Sequence, residues 1–111
     1  MKSTYMIDMR KTNLQTSQLN LSDFEDKSLL ILDDDDPLRG RLSRAMEKKG
    51  FVVKEAKTVA QGLELVKKSP TNFAVVDLRL EDGNGLDVVK ELAKNKPNCR
   101  IVMLTGYGNL P

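Results

Sequence analysis

Leu29-Leu30-Ile31-Leu32 is an unbroken apolar run that stops abruptly at four aspartates, Asp33 to Asp36. Successive side chains of a strand point to opposite faces, so a strand of this composition must be covered on both sides. Phe73-Ala74-Val75-Val76 repeats the pattern and ends in Asp77; a third such run, Cys99 to Leu104, ends in Thr105-Gly106. A shorter run, Phe51 to Ala56, lies between the first two. The segments between these runs have helical spacing. Asp36 and Pro37 open the first, since proline loses nothing at an initial helical position; Leu38, Leu42, Ala45 and Met46 form its stripe and Gly50 stops it. Thr58-Val59-Ala60-Gln61 has the residue types of a capping box, followed by Leu63 and Val66, and a third stripe runs through Leu86, Val89, Leu92 and Ala93 toward Pro97. Glu81 to Gly85 has the composition of a loop. The order β-α-β-α-β-α-β with doubly buried strands predicts an open, doubly wound α/β fold, a parallel sheet with helices on both faces. Counting apolar strands along the chain, the expected order is 2-1-3-4.

Residues 1–27 are polar, with scattered Leu and Met and no sustained period, and read as a flexible lead-in to a domain over 28–111. The 111 residues suffice for one core and not two. With no histidine and a single cysteine, the chain has no Ser/His/Asp triad, no zinc finger and no internal disulfide; Cys99 reads as a small buried hydrophobe. A net charge of +2 gives no electrostatic case for nucleic acid, and no apolar run is long enough to span a bilayer or to form the centre of a secretory signal. A cytoplasmic setting with no membrane partner is the expectation.

Ligand sites of open parallel sheets lie beyond the carboxyl ends of the strands. In the order 2-1-3-4 the strands ending in Asp33 and Asp34, in Asp77 and in Thr105 are adjacent, which would gather three carboxylates and a hydroxyl in one pocket. Crowded carboxylates repel, and a hard divalent cation with oxygen ligands relieves that repulsion. Magnesium suits the all-oxygen donor set and leaves room for a phosphate-bearing partner, where a carboxylate oxygen can attack phosphorus in line to give an acyl phosphate. Taken alone, the acidic run also fits a solvated loop with a helix cap, Asp77 a strand end, and Thr105 a turn cap.

The stretches LLILDDDDPLRGRL (29–42), AVVDLRLEDGNGLDVV (74–89) and IVMLTG (101–106) resemble, in order and separation, the receiver domain of two-component response regulators. The second stretch is most similar to the redox-responsive RegA/PrrA/ActR-like subgroup. The resemblance implies a flavodoxin-like receiver fold, Asp77 as phosphoacceptor, and Asp33 and Asp34 as the acidic pair around Mg2+, with Asp34 a direct ligand. It further implies that Arg79 lends its backbone carbonyl to the metal and that Thr105 is the switch hydroxyl. The implied donor is the phosphohistidine of a sensor histidine kinase, and the chain is then a phosphoacceptor rather than an enzyme, with DNA contacted only through an output domain outside these residues. Where many receivers carry proline four residues after the acceptor, this chain has Glu81. Family members continue through a fifth strand bearing a lysine and a final helix, and no lysine here matches that one; the expectation is a truncated receiver. Such a receiver leaves Arg100 to Leu104 as an uncovered apolar edge able to self-associate.

Two other readings stay open on the residues. One is a small magnesium-dependent phosphatase or phosphotransferase working through an aspartyl phosphate, though Arg79 stands where such enzymes usually place a second acid. The other is an interaction fragment that is never phosphorylated.

Overall fold

The computed structural model describes the backbone of residues 3–8 and 24–105 and the side chains of 24–104. Ten elements follow in order: β1 (Ser3–Asp8), β2 (Ser28–Leu32), α1 (Asp36–Lys48), β3 (Val52–Ala56), α2 (Val59–Lys68), β4 (Phe73–Asp77), β5 (Arg79–Leu80), β6 (Gly83–Asn84), α3 (Leu86–Asn95) and β7 (Arg100–Thr105). The main sheet has the order β1-β7-β4-β2-β3. Its four apolar strands run parallel in the predicted order, with β2 between β3 and β4 and with β4 against β7.

The doubly apolar strands divide the core in two, as their alternation requires. Leu30, Leu32, Ala74, Val76, Cys99 and Ile101 face α2 and α3 with Val66, Val88 and Leu92. Leu29, Ile31 and Phe73 face the other way, toward Leu42, Met46 and Phe51 of the α1 side. Leu30, Ile31 and Leu32 are fully buried, each such burial stabilising by ~1.5–3 kcal/mol. Among the described residues the two faces are unequally covered, because α1 and Phe24 pack on the second and two helices on the first. An apolar groove of about 230 Å3 lies there, among the described residues, between Met46, Phe73, Val75 and Val102.

Local signals held with small shifts. The cap of α1 is Asp35, whose carboxylate accepts the Leu38 amide at 3.0 Å, so the helix begins one residue before Pro37 rather than being capped by Asp36. Thr58 caps α2, accepting the Gln61 amide at 3.0 Å, while Gln61 Oε1 reaches back to the Lys57 amide. On α3 the buried stripe is Val88, Val89 and Leu92; Leu86, placed in the core by its spacing, stays 37% exposed at the first helical position. Residues 81–85, expected as plain loop, contain half of a small hairpin in which Arg79 pairs with Asn84 and Leu80 with Gly83.

The larger corrections concern the N-terminal residues. β1 lies antiparallel along β7 with Ser3 opposite Thr105 and Asp8 opposite Arg100. The edge expected to be bare and self-associating is therefore paired by the chain itself, which satisfies the unpaired backbone groups that make an edge adhesive. Six residues of the supposed lead-in are strand, and Phe24 and Asp26 belong to the folded unit too, so the boundary at Ser28 falls inside the packing. Phe24 stacks edge-on against Phe73 at 5.2 Å beneath the Arg100 guanidinium. Asp26 accepts the Ser28 amide and pairs with Lys96, while its carbonyl accepts Asn72 Nδ2 at 3.0 Å.

Candidate functional site

Asp33, Asp34 and Asp77 each present a carboxylate oxygen such that all three lie within 4.8 Å of one another. Their strands produce this directly. β2 and β4 are neighbours pairing Leu32 with Val76, so the next residue of each, Asp33 and Asp77, emerges side by side at the carboxyl end of the sheet. Asp33 is fully buried and Asp77 2% exposed, whereas Asp34 faces solvent.

Each side chain is held by local backbone. The Asp33 amide donates to the Ala56 carbonyl at 3.1 Å, extending the β2–β3 ladder by one bond, and its Oδ1 accepts the Asp35 amide at 2.9 Å in an Asx turn. That turn moves the chain from strand into the cap of α1. On β4, Asp77 Oδ1 accepts the Arg79 amide at 3.0 Å, and the Leu78 amide donates to Leu104 on β7. Behind Asp77, α3 approaches so closely that a Cβ at Gly85 would sit 2.2 Å from the Asp77 carbonyl oxygen. Only glycine allows that contact at this position.

Two residues that the sequence reading passed over tie the site together. Arg39 Nη1 donates to the Asp33 carbonyl at 2.8 Å, its Nε to Glu55 at 3.0 Å and its Nη2 to Asp36 at 2.6 Å. The guanidinium thereby fastens the acidic turn to β3 and holds the Asp36 carboxyl below its usual range. Its spacing of three from Asp36 on a helix was the available signal. Asp82, in the turn between β5 and β6, accepts the amides of Val59 at 2.8 Å and Ala60 at 3.2 Å, and these bonds lower its carboxyl. That pairing spans more than twenty residues of chain and leaves no local signal.

Of the residues singled out by sequence, Asp33, Asp34 and Asp77 converge, and the Arg79 amide donates to the Asp77 carboxylate. Thr105 follows Leu104, the β7 residue paired with Asp77; its side chain lies outside the described residues. Two oxygens on one octahedral ion lie at most twice the metal–oxygen distance apart, ~4.2 Å for magnesium and ~5 Å for calcium. Cis ligands lie closer, at about 3 Å for magnesium, so three carboxylates within 4.8 Å of one another fit a hard divalent cation once their side chains close inward. Their donor chemistry, oxygen alone, agrees.

A parallel sheet of this order with a cation-sized acidic cluster at its carboxyl edge defines an α/β acidic-pocket module of the flavodoxin-like kind. Residues 29–111 match the response regulator receiver domain, and the chain belongs to that family. It is 59% identical over 83 residues to the photosynthetic apparatus regulatory protein RegA of Cereibacter sphaeroides, covering 75% of this chain and 45% of that protein. It is 51% identical over 85 residues to the acid tolerance regulatory protein ActR of Rhizobium meliloti, covering 77% and 44%. The chain thus spans less than half the length of these curated relatives. Among solved structures, a response regulator from Burkholderia pseudomallei, described with a phosphorylated aspartic acid, calcium ion and citrate, superposes with a TM-score of 0.70 at 34% identity, covering 77% of this chain and 50% of that one.

Proposed function

We propose that this chain is the phosphoacceptor module of a two-component response regulator, taking a phosphoryl group from a sensor histidine kinase onto Asp77. The observation that carries the reading is the convergence of Asp33, Asp34 and Asp77 within 4.8 Å at the ends of adjacent strands. Asp33, Asp34 and Asp77, with the carbonyl of Arg79, would hold Mg2+, which when bound neutralises phosphoryl oxygens and draws the donor's phosphorus toward the carboxylate. The Arg79 amide fixes one oxygen of Asp77 and so orients the carboxylate before any donor arrives. In the transfer, an Asp77 oxygen forms a bond to phosphorus while the bond from phosphorus to the donor imidazole nitrogen breaks. The electron pair leaves on that nitrogen and the product is an aspartyl phosphate. Thr105, at the end of the strand next to Asp77, is the hydroxyl assigned to the phosphoryl oxygens after transfer.

The relatives named above are regulators longer than this chain, which supports an output domain elsewhere as the reader of the phosphorylated state. Among the described residues no helix is long and apolar enough to cross a membrane; a cytoplasmic site of action is part of the proposal. The test uses Mg2+ and acetyl phosphate with intact-mass detection. The wild-type chain should gain one phosphoryl mass, Asp77→Asn should gain none, and chelation should abolish the gain. Labelling that survives in Asp77→Asn would overturn the assignment.

A further inference from the structure

The hairpin that follows the acceptor is tied to a helix that contributes nothing to the acidic cluster. Asp82 chelates two amides of the α2 first turn, Val59 and Ala60, although Thr58 already supplies that helix with an ordinary side-chain cap on Gln61. Thr58 satisfies the Gln61 amide alone, so the remote carboxylate takes two further orphan donors of the helix start and, reaching them from the hairpin, acts as a tether between the two elements. The hairpin is also pinned elsewhere. Leu80 is buried in the core with Val59, Gly83 lies against Val59 at φ 151°, and the Gly85 amide returns to the Leu78 carbonyl at 2.9 Å. At its near end the Arg79 amide donates to Asp77 Oδ1.

We infer that Asp82 is a positioning residue for the phosphoacceptor site: its two-amide bridge to α2 fixes the β5–β6 hairpin, and through it the Arg79 peptide that orients Asp77. The inference rests on the proposed function for its consequence in phosphoryl transfer and on the geometry alone for the positioning. Leu80 and the Gly85–Leu78 bond anchor the base of the hairpin, whereas its turn, Glu81 and Asp82, is exposed and is joined to α2 by this bridge. Released from α2, the Arg79 peptide can swing, moving both the amide on Asp77 and the carbonyl assigned to the ion.

The test compares Asp82→Ala, Asp82→Asn and Thr58→Ala in the 111-residue chain. Thr58→Ala removes a cap from the same helix without touching the hairpin, so it reports what loosening α2 does by itself. Three readouts are taken: amide hydrogen exchange at Arg79 without metal, Mg2+ affinity by titration calorimetry, and the rate of labelling by acetyl phosphate at saturating Mg2+. Asp82→Ala should speed exchange at Arg79 and weaken Mg2+ by ~10-fold, the low end for losing an outer partner of a metal site. Asp82→Asn, which keeps one acceptor oxygen, should fall between it and wild type. Thr58→Ala should lower the melting temperature yet leave Arg79 exchange and Mg2+ affinity as they were. Equal effects of Asp82→Ala and Thr58→Ala on Arg79 exchange, or none from either, would overturn the inference. If wild type binds no Mg2+ or takes no phosphoryl group, the proposed function fails, and the exchange comparison still decides the role of Asp82.

Discussion

Replacing Gly85 with alanine probes the contact on which the placement of Asp77 depends. The added Cβ would lie 2.2 Å from the Asp77 carbonyl oxygen, 3.0 Å from its carbon and 2.8 Å from Val76 Cγ1. Non-bonded carbon and oxygen rarely come closer than ~3 Å, so the overlap is roughly 0.8 Å and two of the three atoms are backbone. Neither can escape by changing rotamer. Overpacking that side chains can relieve costs about 1–3 kcal/mol, which makes ~3 kcal/mol or more the expectation where the strand end or the first turn of α3 must shift. At ~4–8 °C per kcal/mol for a domain of this size, the melting temperature should fall by at least ~12 °C. The shift is delivered to Asp77 itself, so Mg2+ affinity should fall as well. Gly40→Ala supplies the contrast. There the new Cβ meets only the flexible Arg44 guanidinium at 3.3 Å inside α1, and the gain in helix propensity should stabilise by up to ~1 kcal/mol. Thermal melts followed by circular dichroism, with and without Mg2+, read both variants. A Gly85→Ala protein that melts within ~1 kcal/mol of wild type and keeps its Mg2+ affinity would refute the close approach.

The buried Ser43 hydroxyl has no hydrogen-bond partner among the described residues, so Ser43→Ala should stabilise by about 1 kcal/mol in urea titration, and a loss of stability would show that the hydroxyl is satisfied. Burial alone would raise the Asp26 carboxyl, but hydrogen bonds from Lys96 and Ser28 outweigh it and hold the group at about 2, below the ordinary 3.8 of an aspartate. A depressed carboxylate contributes stability that is complete above the unfolded value and is lost as pH falls from ~4 to ~2. With the side chain 44% exposed, screening limits that contribution to ~1 kcal/mol or less; the stability gap between wild type and Asp26→Asn should close over that window, and a gap independent of pH would contradict it. Deleting residues 1–8 removes β1 and bares β7, so the shortened chain should self-associate in light scattering where the intact chain does not; a shortened chain that stays monomeric at all concentrations would show that β1 does not guard the edge.

What the sequence made legible was whatever a short window could encode. Leu29 to Leu32 and Phe73 to Val76 announce doubly buried strands through composition alone, and strand adjacency then forces Asp33 beside Asp77. The capping residue Thr58 was readable for the same reason, since cap and helix share one local segment. Leu86 and β1 escaped for opposite reasons. Leu86 has the right residue type, yet the tight approach of Gly85 to β4 starts α3 against the sheet, turning its first side chain outward and bringing Val88 inward. Ser3 to Asp8 carries a mixed pattern that becomes strand only because β7 offers it an unpaired edge, an instance of tertiary context overriding propensity. Arg39 and Asp82 act between elements: the spacing of Arg39 from Asp36 was readable, but its bond to Glu55 and those of Asp82 to α2 depend on distances in space that no spacing along the chain records.

The two ends of the sheet carry different burdens, and this separates stability from function in the molecule. At the carboxyl ends, three acidic groups crowd together, an arrangement that favours a cation among them. At the amino ends a separate network joins Asp26 with Lys96, the Arg100 guanidinium with Phe24, and Asn72 with both Asp26 and Ser28. That lower network joins β2, β4, β7 and the end of α3, so it holds the strands in the register that brings Asp33 and Asp77 level. A strand is stiff over five residues, and a register fixed at one end is transmitted to the other; slippage by a single residue would turn Asp77 to the opposite face of the sheet. Substitutions in the lower network should therefore change melting temperature and leave Mg2+ affinity intact while the fold persists. Substitutions of the acidic groups should act on the other property, abolishing the response to Mg2+.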